Sequence, residues 1–190
     1  MNRFRKFLLV AGVLLLLSGI ALFAGTRYLS TRGGAEEVYD RLSEAVPERI
    51  GGAVGVYSHP EMPVMALDGQ DFCGLLELPG YGIRLPIGAA WNSLNTLRWP
   101  CRYSGSVYDG RLIIGGADQP GQLEICKRLD LGDVILVTDL TGMEFRYEVV
   151  RVDRAKQADS QTLTRGDFDL TLYIRNSYGS EYILVRCNQS

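Results

Sequence analysis

Short runs of apolar and β-branched residues follow one another along the chain from residue 72 onward. Runs of this length, bounded by turn residues, are typical of β-strands. Turn signals containing Gly separate them at 79–80, 109–110, 131–132 and 141–142. Many short strands at such spacing predict an all-β domain over 70–190, closed into a barrel or sandwiched. The predicted strands are 72–78, 83–87, 112–117, 133–140, 143–152, 170–175 and 182–187.

The N-terminal segment has a different pattern. Arg3, Arg5 and Lys6 are followed by an uncharged, largely apolar run over 7–25. A helix over this run would be about 28 Å long at ~1.5 Å per residue, close to the ~30 Å hydrocarbon core of a bilayer. We therefore predict a cytoplasmic basic segment over 1–6 and one transmembrane anchor, with the remaining domain outside the cell. A cleaved signal peptide is the alternative, but the apolar run exceeds the usual ~7–15 residues and no Ala-x-Ala site follows it.

Residues 26–69, between the anchor and the β-rich domain, predict a short helix and a linker. The Gly pair at 33–34 is expected to break the chain, and the apolar positions after it recur at helical spacing. This spacing predicts an amphipathic helix over 35–46. The segment 47–69 is rich in Gly, Pro and polar residues, which predicts an irregular linker. A further helical turn is predicted over 92–97.

Composition and charge argue against some classes of function. Apolar residues make up 46% of the chain, and the net charge of -2 gives no electrostatic reason to expect nucleic-acid binding. The sequence shows no cluster of metal-ligand residues, and the Gly pair at 115–116 lacks the rest of a phosphate-binding loop. We therefore expect neither a metal nor a cofactor.

The most informative segment is 169–187, in which two β-type runs flank a polar turn at 176–181. If residue 175 pairs with residue 182, the other cross-strand pairs follow by counting. One face would carry only apolar side chains and would face the core, with Leu170 opposite Cys187, Leu172 opposite Val185 and Ile174 opposite Ile183. The other face would place Thr171 opposite Arg186, Tyr173 opposite Leu184 and Arg175 opposite Tyr182.

This hairpin resembles the last hairpin of sortases, the membrane-anchored cysteine transpeptidases of Gram-positive cell surfaces. In that family the first strand reads Thr-Leu-x-Thr-Cys and ends on the nucleophile, and the second strand carries an essential Arg. Four further blocks resemble sortase motifs in the same order, at 74–87, 100–106, 112–117 and 129–135. The collinear blocks imply a class B-like sortase fold, a closed β-barrel of about eight strands with short helices, preceded here by the transmembrane helix.

The resemblance also implies three catalytic positions, and all three are substituted in this chain. Arg175 stands where the nucleophilic Cys belongs, Ala117 where the His belongs and Tyr182 where the Arg belongs. An Arg has no nucleophilic electron pair, an Ala transfers no proton, and a neutral Tyr carries no positive charge. We therefore predict that no catalytic residue is present. The candidates for lining the former substrate groove are Thr171, Tyr173, Arg175, Tyr182 and Arg186.

The remaining His and Cys residues offer weak substitutes for the missing groups. His59, the single histidine, lies in the predicted linker and is expected to be solvated. Cys126 has basic neighbours, which can lower the pKa of a thiol, but no His to pair with. If a disulfide forms, the resemblance to class B-like blocks makes Cys101 and Cys187 the candidate pair. Reduced core thiols, including Cys73, are the alternative.

We interpret the chain as a membrane-anchored, extracellular sortase-family protein of the cell membrane that is catalytically inactive. It would act as a peptide-binding or scaffolding module in cell-surface protein anchoring or pilus assembly. An extended sorting-signal-like peptide, a pilin or an active sortase are the candidate partners, and no nucleic acid is expected. A divergent cysteine transpeptidase or peptidase that uses Cys126 or an unexpected residue stays open as an alternative, as does an envelope protein without a peptide groove.

Overall fold

A computed structural model describes residues 3–48, 50–51, 61–92, 94–177 and 180–190. His59 and a large part of the predicted linker over 47–69 lie outside these described residues. Residue 93 and residues 178–179 lie outside them as well.

The N-terminal helix α1 runs from Arg3 to Ala45 without interruption. The break predicted at 33–34 is therefore wrong. A Gly costs a helix only about 1 kcal/mol relative to Ala, and a helix that packs on the domain can offset this amount. The packing is present, because Tyr39 and Leu42 of the predicted amphipathic segment are buried against the barrel.

Charged contacts hold the same end of α1 on the barrel. Arg84 forms ion pairs with Glu36 at 2.9 Å and with Asp40 at 3.2 Å. Its guanidinium also lies 5.1 Å from the centre of the Tyr39 ring. In the part of the chain that the structure describes, no helix is long and apolar enough to cross a membrane. The anchor predicted over 7–25 stays a prediction.

Strands make up most of the domain. All seven predicted strands are present, with ends that differ by up to three residues. Three short strands were not predicted: β1 and β2, which lie in the predicted linker, and β5, a four-residue strand of mixed polarity. The strands are β1 Ile50–Gly51, β2 Met65–Leu67, β3 Gln70–Leu78, β4 Ile83–Gly88, β5 Cys101–Ser104, β6 Leu112–Gly116, β7 Val134–Asp139, β8 Met143–Ala155, β9 Leu170–Arg175 and β10 Tyr182–Gln189.

Helical turns occupy several connections between the strands. Short 3₁₀ helices lie at Pro79–Tyr81, Asn95–Leu97 and Leu123–Lys127, and the four-residue helix α2 spans Ser160–Leu163. The predicted turn over 92–97 corresponds to the second of these 3₁₀ helices. The carboxylate of Asp159 caps α2 by accepting a hydrogen bond from the backbone of Thr162.

Eight of these strands close into a barrel in the order β8, β10, β9, β6, β5, β4, β3 and β7, with β7 pairing back onto β8. The short strands β1 and β2 add to the outside of this ring, on β8 and β3. Within the ring, β4 with β5 and β6 with β9 are parallel pairs, and the other pairs are antiparallel. The predicted closed barrel of about eight strands is confirmed.

The register of the last hairpin matches the predicted one at every pair. Arg175 lies opposite Tyr182, and Leu170 lies opposite Cys187. The six residues of the predicted apolar face are all buried in the main core. The opposite face therefore points away from the barrel interior, and it is there that the candidate site lies.

Candidate functional site

A cavity of about 770 Å³ opens where β6 and β9 end and β10 begins. Hereafter it is called the groove. Ala117 follows the last residue of β6, Arg175 ends β9 and Tyr182 begins β10. The parallel pairing of β6 with β9 and the antiparallel pairing of β9 with β10 bring these three positions together. All three line the groove, and Tyr173 lines it as well.

Among the described residues, no partner lies close to the charge of Arg175. Its side chain is exposed, and no ion pair, hydrogen bond or cation–π contact to it occurs among the residues described. Glu181, an acid on the same hairpin, instead lies 4.0 Å from Arg154. Although Tyr182 is the cross-strand neighbour of Arg175, the two side chains do not stack. Within the described part of the groove, the guanidinium of Arg175 is therefore not engaged by another side chain and can bind a ligand.

Three aromatic rings form one wall of the groove. The Trp91 and Tyr173 rings stack with centroids 5.5 Å apart, and Tyr103 meets each of them nearly edge-on at 5.8 and 5.9 Å. Hereafter these three residues are called the aromatic wall. Burial raises the pKa of the Tyr173 phenol, and its neighbours Tyr103 and Tyr182 act in the same direction. The phenol is therefore neutral at physiological pH.

Gly115 makes room for this wall. A Cβ at this position would lie 2.4 Å from Cζ of Tyr173 and 2.5 Å from Cζ3 of Trp91. These separations are far below van der Waals contact, so a side chain here would push the stacked rings apart. The glycine at 115 thus has a packing role, in place of the phosphate-loop role that the sequence argues against.

Asp118, which follows β6, links the end of β6 to the end of β9 at the edge of the groove. Its carboxylate lies 2.5 Å from Nζ of Lys127 and accepts a hydrogen bond of 2.6 Å from the backbone N–H of Ser177. Burial would raise the pKa of Asp118, but the hydrogen bonds from Lys127 and Ser177 outweigh it and lower the pKa. The carboxylate is therefore ionised and already paired.

Gln122 fixes the backbone around Ala117. Its amide is buried, accepts a hydrogen bond of 2.5 Å from the N–H of Ala117 and donates one of 2.9 Å to the carbonyl of Thr96. Gln119 donates to the carbonyl of Leu97 in the same turn. Sequence reasoning missed Gln122 and Trp91, because both lie in connections where no periodic pattern marks the inward positions.

Thr171 and Arg186, two of the five predicted groove residues, lie outside the groove. Arg186 is 3% exposed and donates to the carbonyls of Leu163 at 2.5 Å and Thr162 at 2.7 Å and to the hydroxyl of Thr171 at 2.9 Å. Burial lowers the pKa of Arg186, and Asp153 opposes this shift. The reason for their position is that α2 and the segment after it cover this part of the hairpin's outer face.

The four thiols are free and buried. Burial raises the pKa of Cys126 to about 12, that of Cys73 to about 12 and that of Cys101 to about 11, and it also raises the pKa of Cys187. The candidate disulfide between Cys101 and Cys187 is not formed, since the two residues belong to different apolar clusters. No group of three or more metal-ligand side chains occurs in the described portion of the chain.

Comparison with known proteins bears on the fold. No family model matches the chain, and no curated protein sequence matches it. Solved structures do match it. Sortase A from Corynebacterium diphtheriae superposes with a TM-score of 0.54 at 18% identity, over 64% of this chain and 61% of that chain. The chain has a sortase-like fold.

Two further sortase structures agree with the first. Sortase C from Clostridium perfringens SM101 gives a TM-score of 0.54 at 21% identity, over 63% of this chain and 70% of that one. Sortase A from Listeria monocytogenes gives 0.54 at 14% identity, over 63% and 87%. At these identities the likeness is one of fold, because a fold can carry unrelated activities.

Proposed function

We propose that the chain is a sortase-family protein that does not catalyse transpeptidation and instead binds an extended peptide in the groove. The observation that carries the proposal is the chemistry at one place. Ala117, Arg175 and Tyr182 line a common groove, and together they supply no thiol, no imidazole and no second guanidinium. The groove itself is open, so the substitutions remove the catalytic groups but leave space for a bound peptide.

Transpeptidation by a sortase needs a thiolate that attacks a carbonyl carbon, an acid that protonates the leaving amine and a cation that stabilises the oxyanion. The four buried thiols are poor replacements for the nucleophile. Burial raises the pKa of Cys126 to about 12, so its thiol stays protonated at neutral pH. Cys126 is also fully buried and does not line the groove. These facts argue against the alternative of a divergent cysteine transpeptidase.

Peptide binding is supported by the size and lining of the groove. Its volume of about 770 Å³ falls in the range of ~300–1,000 Å³ that is usual for ligand sites. Trp91 and Leu97 on its rim are 41% and 57% exposed, which offers apolar surface to a partner. The proposal includes the anchor over 7–25, an extracellular domain and a scaffolding or accessory role in cell-surface protein anchoring. The partner would be a sorting-signal-like peptide, a pilin segment or an active sortase.

The test combines an activity assay with a binding assay on the full chain in detergent. A quenched fluorescent peptide that contains the Thr-Gly bond of a sorting signal should show no cleavage above buffer, with or without an amine acceptor. The single change Arg175→Cys should also be inactive, because groups that act as a unit lose their effect together. The triple change Ala117→His, Arg175→Cys, Tyr182→Arg tests whether the scaffold still supports the chemistry once all three groups are restored.

Two results would contradict the proposal. Cleavage of the peptide by the natural chain would contradict the loss of catalysis. Failure of every extended peptide to perturb the fluorescence of Trp91 or to crosslink to the groove would contradict the binding role.

A further inference from the structure

We infer that the groove selects peptides that end in a free carboxylate, which binds the guanidinium of Arg175 while an apolar C-terminal side chain packs on the aromatic wall. This inference rests on the proposed function, because it names the class of peptide that the same groove takes. It is carried by three features of the described residues, namely the charge of the groove, the spacing between charge and aromatic wall, and the joined strand ends at one edge.

The charges in the groove favour an anionic ligand. Arg175 is the basic residue among the described lining residues, and Asp118 is the acidic one. The carboxylate of Asp118 is occupied by Lys127 and by the backbone of Ser177, so it does not compensate Arg175. A guanidinium presents a planar pair of donors that matches a carboxylate in a bidentate geometry. The complementary group on the ligand is therefore a carboxylate.

The spacing favours an apolar side chain next to that carboxylate. Tyr173 and Arg175 are two residues apart on β9 and share its outer face, which separates their Cα atoms by about 7 Å. Tyr173 continues into Trp91 and Tyr103, whose side chains are partly exposed at the groove. Tyr173 is itself 5% exposed, so the surface offered to a ligand belongs to Trp91 and Tyr103, which line the same groove as Arg175. A single C-terminal residue can therefore present its carboxylate to Arg175 and its side chain to these rings. An aromatic or branched aliphatic residue fits the wall best.

The joined strand ends favour the end of a peptide over an internal acidic residue. The backbone N–H of Ser177 donates to one carboxylate oxygen of Asp118 at 2.6 Å, and the Ser177 hydroxyl donates to the backbone carbonyl of Asp118 at 3.2 Å. Lys127 holds the other carboxylate oxygen from the 3₁₀ helix at Leu123–Lys127. Asp118 and Ser177 line the groove together with Arg175. We expect this closed edge to favour a peptide that ends at Arg175 over one that continues past it.

The test compares matched peptides on the full chain in detergent, by fluorescence anisotropy. The probe is fluorescein-labelled Gly-Ala-Thr-Ala-Phe with a free C-terminal acid. The same peptide as its C-terminal amide removes the charge, and an amidated peptide with Glu before the Phe moves the charge to a side chain. We expect the acid to bind about tenfold more tightly than either amide, a factor that corresponds to about 1.4 kcal/mol.

Variants connect this preference to named side chains. Arg175→Met should abolish the difference in affinity between acid and amide. Arg146 is an exposed arginine on β8, and the control variant Arg146→Met should leave this difference unchanged. Trp91→Ala should weaken the acid and the amide by similar factors. Raising the salt concentration should reduce the preference, because an exposed charge pair is screened. Thermal unfolding of each variant checks that it is folded.

The outcomes separate this inference from the proposed function. Tighter binding of the acid that disappears in Arg175→Met supports both. Equal binding of acid and amide, unchanged in Arg175→Met, overturns the inference and leaves peptide binding intact. A preference for the internal Glu peptide overturns the assignment of a chain end. Binding of none of the probes, together with no binding of longer sorting-signal peptides, overturns both.

Discussion

Arg175 and Arg186 should respond very differently to replacement by Met, which keeps an apolar stem of similar length and removes the guanidinium. Both residues lie on the outer face of the last hairpin. Arg175 is exposed and has no partner among the described residues, whereas Arg186 is 3% exposed and donates three hydrogen bonds. The two variants therefore compare one residue type on one hairpin face in two environments.

The loss of stability expected for each variant depends on the hydrogen-bond acceptors that lose their donor. In Arg186→Met the carbonyl of Leu163 and the hydroxyl of Thr171 stay buried without this donor, at a cost of about 1–3 kcal/mol each. The carbonyl of Thr162 is only partly buried and can turn to water. Part of this cost is offset, because burying the uncharged Met carries no penalty for desolvating a charge. We expect a net loss of about 3 kcal/mol for Arg186→Met, and less than about 0.5 kcal/mol for Arg175→Met.

Urea unfolding of the full chain, followed by far-UV circular dichroism, measures both values. A loss of about 3 kcal/mol corresponds to a fall in Tm of about 6–12 °C for a domain of this size. Hydrogen exchange should also become faster over 160–168, the segment that Arg186 holds. A small loss of stability in Arg186→Met would refute the buried assignment of Arg186, and a similar loss of about 3 kcal/mol in Arg175→Met would refute the exposed assignment of Arg175.

Three further predictions concern the thiols, a glycine and a carboxylate. Native Cys126 should not react with N-ethylmaleimide at pH 8, because burial raises its pKa to about 12; labelling without denaturant would contradict this. Gly115→Ala should lower the free energy of unfolding by about 1–2 kcal/mol through clash with the aromatic wall, and Gly80→Ala, which meets no atom within 4 Å, should have little effect. Equal midpoints for the two glycine variants would count against the packing role. Folding lowers the pKa of Asp118, so its contribution is complete above the unfolded value of about 3.9 and is lost as pH falls through the lower folded value. The Tm difference between the natural chain and Asp118→Asn should therefore shrink from pH 5 to pH 2, and a constant difference would disprove this.

The strands and the hairpin register could be predicted because they follow from alternation within one segment. The pairing of Arg175 with Tyr182 needed only a turn and a count along two strands. β5 was missed because its four residues mix buried and exposed side chains without an apolar run. The continuous helix α1 was missed because local propensity at 33–34 opposes it, while the packing of residues 35–42 on the barrel supports it.

The site could be predicted only in part, for a related reason. Alternation says which side of a strand a residue occupies, and it does not say what covers that side. Tyr173 and Arg175 face the groove, while Thr171 and Arg186, on the same face, lie under the segment that contains α2. That covering depends on a connection of 14 residues between β8 and β9, whose path no periodic pattern encodes.

The position of β10 in the ring has a consequence for the order in which the protein can fold during synthesis. β10 follows the other strands in the chain, but in the barrel it lies between β8 and β9. Until residues 182–189 have left the ribosome, β8 and β9 each keep one edge unpaired, and such edges can pair with other chains. The barrel therefore cannot close while the chain is still growing through this segment. Nascent chains would need protection from aggregation up to that moment, and a truncation just before β10 should remove the whole barrel rather than one strand of it.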